Sequence, residues 1–245
     1  MITSVGRLRG WPVTITESSL LGAQVELRPV RVRDAKVWRD SRVRNAAWLR
    51  PWEPTNPETP LYRSSVTPYV TMARTMRREA RQGLALPWAV IYDGKFVGQL
   101  TVGSILWGSA RSGQVGYWVD EQVAGRGIIP TALAMAIDHC FFVVGLHRVE
   151  ASIRPENHAS RRVVEKLGFH EEGLRRPRRA RPDRSASWPW RWALSRWAFP
   201  LPRSWWRRAT TRSGSGGCLW CGLRSRRSIG PTRPRSGRRA TITDG

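Results

Sequence analysis

Val115-Gly116-Tyr117-Trp118-Val119-Asp120-Glu121-Gln122-Val123-Ala124-Gly125-Arg126-Gly127 leads directly into Ile128-Ile129-Pro130-Thr131-Ala132-Leu133. The first five residues have the composition of a strand. Glycines at 125 and 127 remove the Cβ atoms that would block a close approach of the backbone. Pro130 and Thr131 then open a helix, since proline is favoured in a first turn. Leu133, Ala136, Ile137, Cys140, Phe141 and Val144 form the apolar stripe of that helix, and Gly145 ends it. Strand, glycine loop and helix start together leave unpaired amides that suit a phosphate group. A second strand follows over Arg148–Ile153. The next helix carries Ser160, Val163, Val164 and Leu167 at helical spacing, with Gly168 after it.

Three elements carry a resemblance. They are Gln122-x-x-Gly125-x-Gly127 between strand and helix, the segment Asn157-x-x-Ser160, and Leu167-Gly168-Phe169. In this order and spacing they resemble the GNAT N-acetyltransferases, most of all the RimJ/RimL branch, over roughly residues 20 to 176. The resemblance implies an α/β fold with a mixed central sheet and flanking helices. It implies acetyl-CoA as co-substrate and no metal. The acceptor it implies is the N-terminal α-amino group of a ribosomal protein, with contact to the ribosome. A small amine such as an aminoglycoside is the alternative acceptor, because fold does not fix substrate.

The same resemblance assigns roles to residues. Gln122, Val123, Ala124, Gly125, Arg126, Gly127 and Ile128 would hold the pyrophosphate, with amides from about Val123 to Ile128 as donors. Trp118 and Val119 end the strand that supplies an oxyanion-binding amide. Asn157 either bonds the pantetheine arm or caps the following helix. Arg161, with Arg162, would meet the 3′-phosphate or face solvent. Ser160 would protonate the departing thiolate, or simply cap or pack. The expected position of the base falls near Arg179, so no base is named; Glu171 and Glu172 belong to a strand edge.

Upstream, Gln24–Val32 reads as a strand and Asp34 as the N-cap of a helix to about Asn45. Trp48, Leu49 and Trp52 either pack helices onto the sheet or line the acceptor groove, and packing is the ordinary use of large aromatics. Glu53–Pro60 is a loop, and Thr67-Pro68 begins a helix that ends at Gly83. Its run Arg74, Arg77, Arg78, Glu79, Arg81 reads as a solvated face. Asp93-Gly94 between two apolar runs predicts a hairpin.

The formal charge of +24 is unevenly placed: residues 1–175 carry +8 and residues 176–245 carry +16. From residue 176 lysine is absent, and Arg, Trp, Ser, Pro and Gly dominate. The expectation is a poorly ordered leader over 1–20, a domain over 21–176, and an Arg/Trp-rich tail over 177–245 outside the fold. The last strands of the sheet are then missing or replaced, the tail has the composition of GC-rich codons read out of frame, and the expected consequence is an impaired acetyltransferase. Read as a genuine segment, such a tail suits RNA, with Arg on phosphates and Trp on bases. Cys140 reads as a core residue, and Cys218-x-x-Cys221 supplies two of the about four ligands a structural zinc needs. There is no apolar run of membrane-spanning length and no secretory signal, so a cytoplasmic location is expected.

Overall fold

The computed structural model describes residues 10–19, 22–52, 66–174 and 190–196. In chain order the strands are β1 (Ile15–Ser18), β2 (Gln24–Pro29), β3 (Leu86–Tyr92), β4 (Lys95–Leu106), β5 (Ser112–Val119), β6 (Arg148–Ile153), β7 (His170–Leu174) and β8 (Trp190–Ser195). The helices are α1 (Ala35–Arg44), α2 (Ala46–Leu49), α3 (Thr67–Arg81), α4 (Ile128–Asp138) and α5 (His158–Lys166). The eight strands form one sheet in the order β1-β2-β3-β4-β5-β6-β8-β7. Among the described strands only β5 and β6 pair in parallel.

Strand periodicity sorts the core onto two faces. Along β3, Leu86, Trp88 and Val90 join the large cluster that α4 and α5 cover, with Ala132, Leu133, Ala136, Val164 and Leu167. Their neighbours Ala89 and Ile91 join Val30 on the opposite face. There α1 and α3 pack Trp38, Tyr69 and Ala73 against Phe96 and Trp118. A central strand buried on both sides reads as a continuous apolar run, which is why β3 lacks a polar alternation. Asp93 and Gly94 both have positive φ, 49° and 74°, and close the β3–β4 hairpin as their sequence predicts.

Three expectations need correction. Helix α4 starts at Ile128, with Gly127 as its N-cap at φ 77°, two residues before Pro130. Its C-terminal continuation, His139–Val144, is π-helical before Gly145 turns left-handed at φ 89°. The leader is also not all outside the fold. Ile15–Ser18 pairs antiparallel with β2, Trp11 packs edge-on against Trp88 at 5.3 Å between ring centroids, and Trp88 Nε1 donates to the Val13 carbonyl at 3.3 Å.

The third correction concerns the C-terminal boundary. Strand β8 comes from the stretch assigned to the tail, and it inserts between β6 and β7. Ala151 pairs with Trp192 and Glu150 with Ala193, while Ala193 also faces His170 on β7. Trp192, Ala193 and Leu194 are all buried. The sheet therefore does not end at residue 176, and the far edge of β6 is paired. Burial on both faces gives β8 an unbroken Trp-Ala-Leu run, which hides its strand character among arginines and tryptophans. The rest of the tail, including Trp188, Arg179 and Cys218-x-x-Cys221, lies outside the described residues.

Candidate active site

The parallel pair opens in the middle of the sheet. Pairing of β5 with β6 runs from Ser112 opposite Arg148 to Val115 opposite Ala151. Beyond it β5 continues to Val119 along β4 alone. Gln114 Nε2 donates to Ser152 Oγ at 2.8 Å near the point of opening. The Asp120 amide donates to the Val97 carbonyl on the β4 side at 2.7 Å. Successive amides of an extended strand face opposite ways, so the Val119 N–H points to the opened, β6 side. A cavity of about 1020 Å³ fills the opening, and Tyr117, Trp118 and Val119 line it.

The glycine loop forms one end of this cavity, and its backbone donors can be accounted for one by one. A single 3₁₀ turn spans Glu121–Val123. The Glu121 amide donates to Asn45 Oδ1 at 2.8 Å and the Gln122 amide to Asp120 Oδ1 at 3.1 Å. The Val123 and Ala124 amides donate to the carbonyls of Asp120 and Glu121 at 3.2 and 3.1 Å. The expected donor set therefore shifts along the chain: Val123 is already engaged, and the amides of Gly125 to Ile129 are the ones with no partner among the described residues. Gly125 and Gly127 hold φ of 80° and 77°, which a side chain would strain. A Cβ placed on Gly125 would meet no protein atom within 4 Å, so the loop leaves room for a ligand there. Unpaired amides at the start of an 11-residue helix, beside open space, fit a pyrophosphate.

Of the loop residues named from the sequence, Val123, Ala124, Gly125, Gly127 and Ile128 line the cavity. Gln122 and Arg126 do not. The Arg126 guanidinium folds back and donates to the Gln122 carbonyl at 3.3 Å, closing the loop on itself. Across the cavity stands the first turn of α5. Asn157 Oδ1 accepts from the Ser160 amide at 3.0 Å, so its capping role is real, and its Nδ2 is the group left to meet a ligand. Asn157 and Ser160 both line the cavity. Arg161 does not. Its guanidinium lies 5.7 Å from the Trp192 ring, 3.6 Å from Glu171, and donates to the Pro155 carbonyl at 3.4 Å. One position further on, a helix turns by about 100°, which brings Arg162 to the cavity together with Lys166. Of the two arginines named for a ligand phosphate, Arg162 lines the cavity and Arg161 is turned away from it.

Tyr117 was legible only as a strand residue. Its hydroxyl donates to the Ser160 carbonyl at 3.3 Å, so it fixes the first turn of α5 relative to β5. Burial pushes its phenol well above the ordinary tyrosine range, which keeps it protonated as a donor. Asp120, also unflagged by any motif, is buried and pairs with Arg44. Burial alone would raise its carboxyl, but bonds from Arg44, the Gln122 amide and Asn45 outweigh this and hold it below the usual range.

The other end of the cavity is walled by Arg42, Trp48, Leu49 and Trp52. Leu49 is buried, while Trp52 is 38% exposed. The aromatics that read first as packing therefore border the opening. Arg42 lies 5.4 Å from the Trp38 ring and 5.0 Å from the Trp118 ring, and burial lowers its guanidinium to about 10. Arg154 Nη1 donates to the Pro51 carbonyl at 2.9 Å, tying this wall to the turn after β6. Glu156 is the one carboxylate in the described lining. Glu172 is held by Arg148 and Arg191, and Glu171 stands beside Arg161, so neither reaches the cavity.

Comparison with known proteins agrees with this geometry. The structure of Mycobacterium smegmatis RimJ in complex with CoA-disulfide is 41% identical, with a TM-score of 0.72 over 78% of this chain and 91% of that one. The [Ribosomal protein uS5]-alanine N-acetyltransferase of Escherichia coli (strain K12) is 26% identical over 67% of this chain and 84% of its own length. The probable N-acetyltransferase YjcK of Bacillus subtilis (strain 168) is 37% identical over 34% of this chain, a match that spans 46% of that protein. Residues 24–170 match the model of the acetyltransferase (GNAT) domain, and the chain belongs to that family of acyltransferases.

Proposed function

We propose that this protein transfers the acetyl group of acetyl-CoA to the N-terminal α-amino group of a ribosomal protein. The observation that carries the reading is the run of unpartnered amides, Gly125 to Ile129, at one end of a cavity that opens between β5 and β6. These amides and the α4 dipole bind the pyrophosphate. Arg162 and Lys166 add charge for the remaining phosphate, and Asn157 Nδ2 meets the pantetheine arm. The Val119 N–H, turned toward the opening, stabilises negative charge as it grows on the thioester oxygen, the stage at which a fixed donor lowers the barrier. Ser160 supplies a hydroxyl to the departing sulfur, with its turn held by Tyr117.

An α-amino group has a pKa near 8, so about a tenth is neutral at pH 7 without a base. A water chain can carry the proton away, and the chemistry does not require a carboxylate in the described lining. With Arg162 and Lys166 engaged by the coenzyme, the far wall of Arg42, Trp48, Leu49 and Trp52 is left for the acceptor, and a cationic, apolar wall suits a peptide entering by its N-terminus better than a polycationic aminoglycoside. The experiment is a thiol-release assay with acetyl-CoA against peptides with the N-terminal sequence of ribosomal protein uS5 and against aminoglycosides. Turnover with the peptides alone is expected. Turnover with aminoglycosides alone overturns the acceptor assignment.

A further inference from the structure

Two buried side chains outside the cavity hold the glycine loop by its first turn. Asn45 is 1% exposed and Asp120 4%. Asn45 caps the C-terminus of α1; its Oδ1 accepts the Glu121 amide at 2.8 Å, and its Nδ2 donates to the Ser41 carbonyl at 2.8 Å. Asp120 ends β5. One of its oxygens accepts the Gln122 amide at 3.1 Å, and the other accepts from the Arg44 guanidinium and, at 3.4 Å, from the Ser41 hydroxyl. Four residues from the end of α1 and the end of β5 thus close one polar node around two consecutive loop amides.

We propose that Asn45 and Asp120 are positioning residues for acetyl-CoA: they take up the first two loop amides, so that the next unpartnered amides, Gly125 to Ile129, are presented to the pyrophosphate. The proposal rests on the acetyl-CoA reading above. It follows from the local accounting. Each loop amide from Glu121 to Ala124 is engaged inside the protein, and each from Gly125 to Ile129 has no partner among the described residues. A loop already ordered in its binding shape loses less freedom when the ligand arrives. The node also links the two ends of the cavity, because the helix that ends in Asn45 carries Arg42 on the opposite wall. Neither residue touches ligand; both act through the loop.

The test compares acetyl-CoA with S-acetylpantetheine, which has the thioester but no pyrophosphate. In the wild type the kcat/KM ratio of the two reports the loop. Asn45→Ala is expected to lower that ratio about fivefold, the scale of one hydrogen bond, through the KM of acetyl-CoA. Asp120→Asn keeps an oxygen for the Gln122 amide and is expected to retain more of the ratio than Asp120→Ala. Equal losses for both substrates in folded variants, or an unchanged ratio, overturn the proposal. If Asn45→Ala does not fold, amide exchange on the wild type decides. Glu121 and Gln122 are expected to be protected without ligand, and Gly125 to Ile129 only once coenzyme A is added. Fast exchange at Glu121 and Gln122 in the free protein overturns it. A wild type that binds no acetyl-CoA would instead remove the function on which the proposal rests.

Discussion

Trp192→Ala tests whether the stretch after residue 176 belongs to the folded domain. Trp192 is 4% exposed, pairs with Ala151 on β6 and Glu171 on β7, and packs in the large core cluster. Removing a buried indole costs about 3–5 kcal/mol in transfer and cavity terms. A net stability of about 5–15 kcal/mol leaves little reserve for that. For a chain of this size each kcal/mol moves the Tm by about 2–4 °C, so a fall on the order of 10 °C is expected. The Arg161 guanidinium also loses the ring it stacks on. Thermal unfolding by circular dichroism reads the Tm, and amide exchange reads the β6 residues Arg148–Ile153. Both should respond, because β8 covers the outer edge of β6. Arg191→Ala is the control. Arg191 is a half-exposed member of the same strand paired with Glu172 at 3.0 Å, and its loss should cost under about 1 kcal/mol. A Trp192→Ala protein that melts within a degree of the wild type, with unchanged exchange in β6, would refute the insertion of β8.

Gly125→Val forces a β-branched residue to φ 80° beside open ligand space, so acetyl-CoA binding should vanish in calorimetry; unchanged affinity would remove the pyrophosphate site. Ser160→Ala should lower kcat with acetyl-CoA affinity nearly intact, whereas equal kinetics and a lowered Tm would leave Ser160 a structural residue. Arg162→Ala should raise the KM for acetyl-CoA more than that for dephospho-coenzyme A thioester, while Arg161→Ala should act on stability through Trp192 and Glu171. The Asp120 carboxyl is depressed in the folded protein, so its contribution to stability is full above the ordinary carboxylate range and is lost as pH falls through its lowered value. The Asp120 contribution should therefore hold level from neutral pH down to the carboxylate range, and Asp120→Asn should flatten the acid limb of a Tm-against-pH curve.

The centre of this protein is legible from its residues alone. Backbone chemistry at Gly125 and Gly127, the strand before them and the apolar stripe after them are local properties, and local patterns survive without knowledge of the partner. The α3 boundaries and the Asp93-Gly94 hairpin were legible for the same reason. Long-range pairing decided the rest. β1 and β8 are strands because β2, β6 and β7 offer them edges, and no periodicity within four or six residues announces that. Arg161 and Arg162 are identical in composition, and only the rotation of α5 sends one to Trp192 and the other to the cavity. Asn45 and Asp120 lie 75 residues apart. Neither belongs to a motif, and only the packing of α1 against the end of β5 brings both onto the glycine loop, where buried amides require partners.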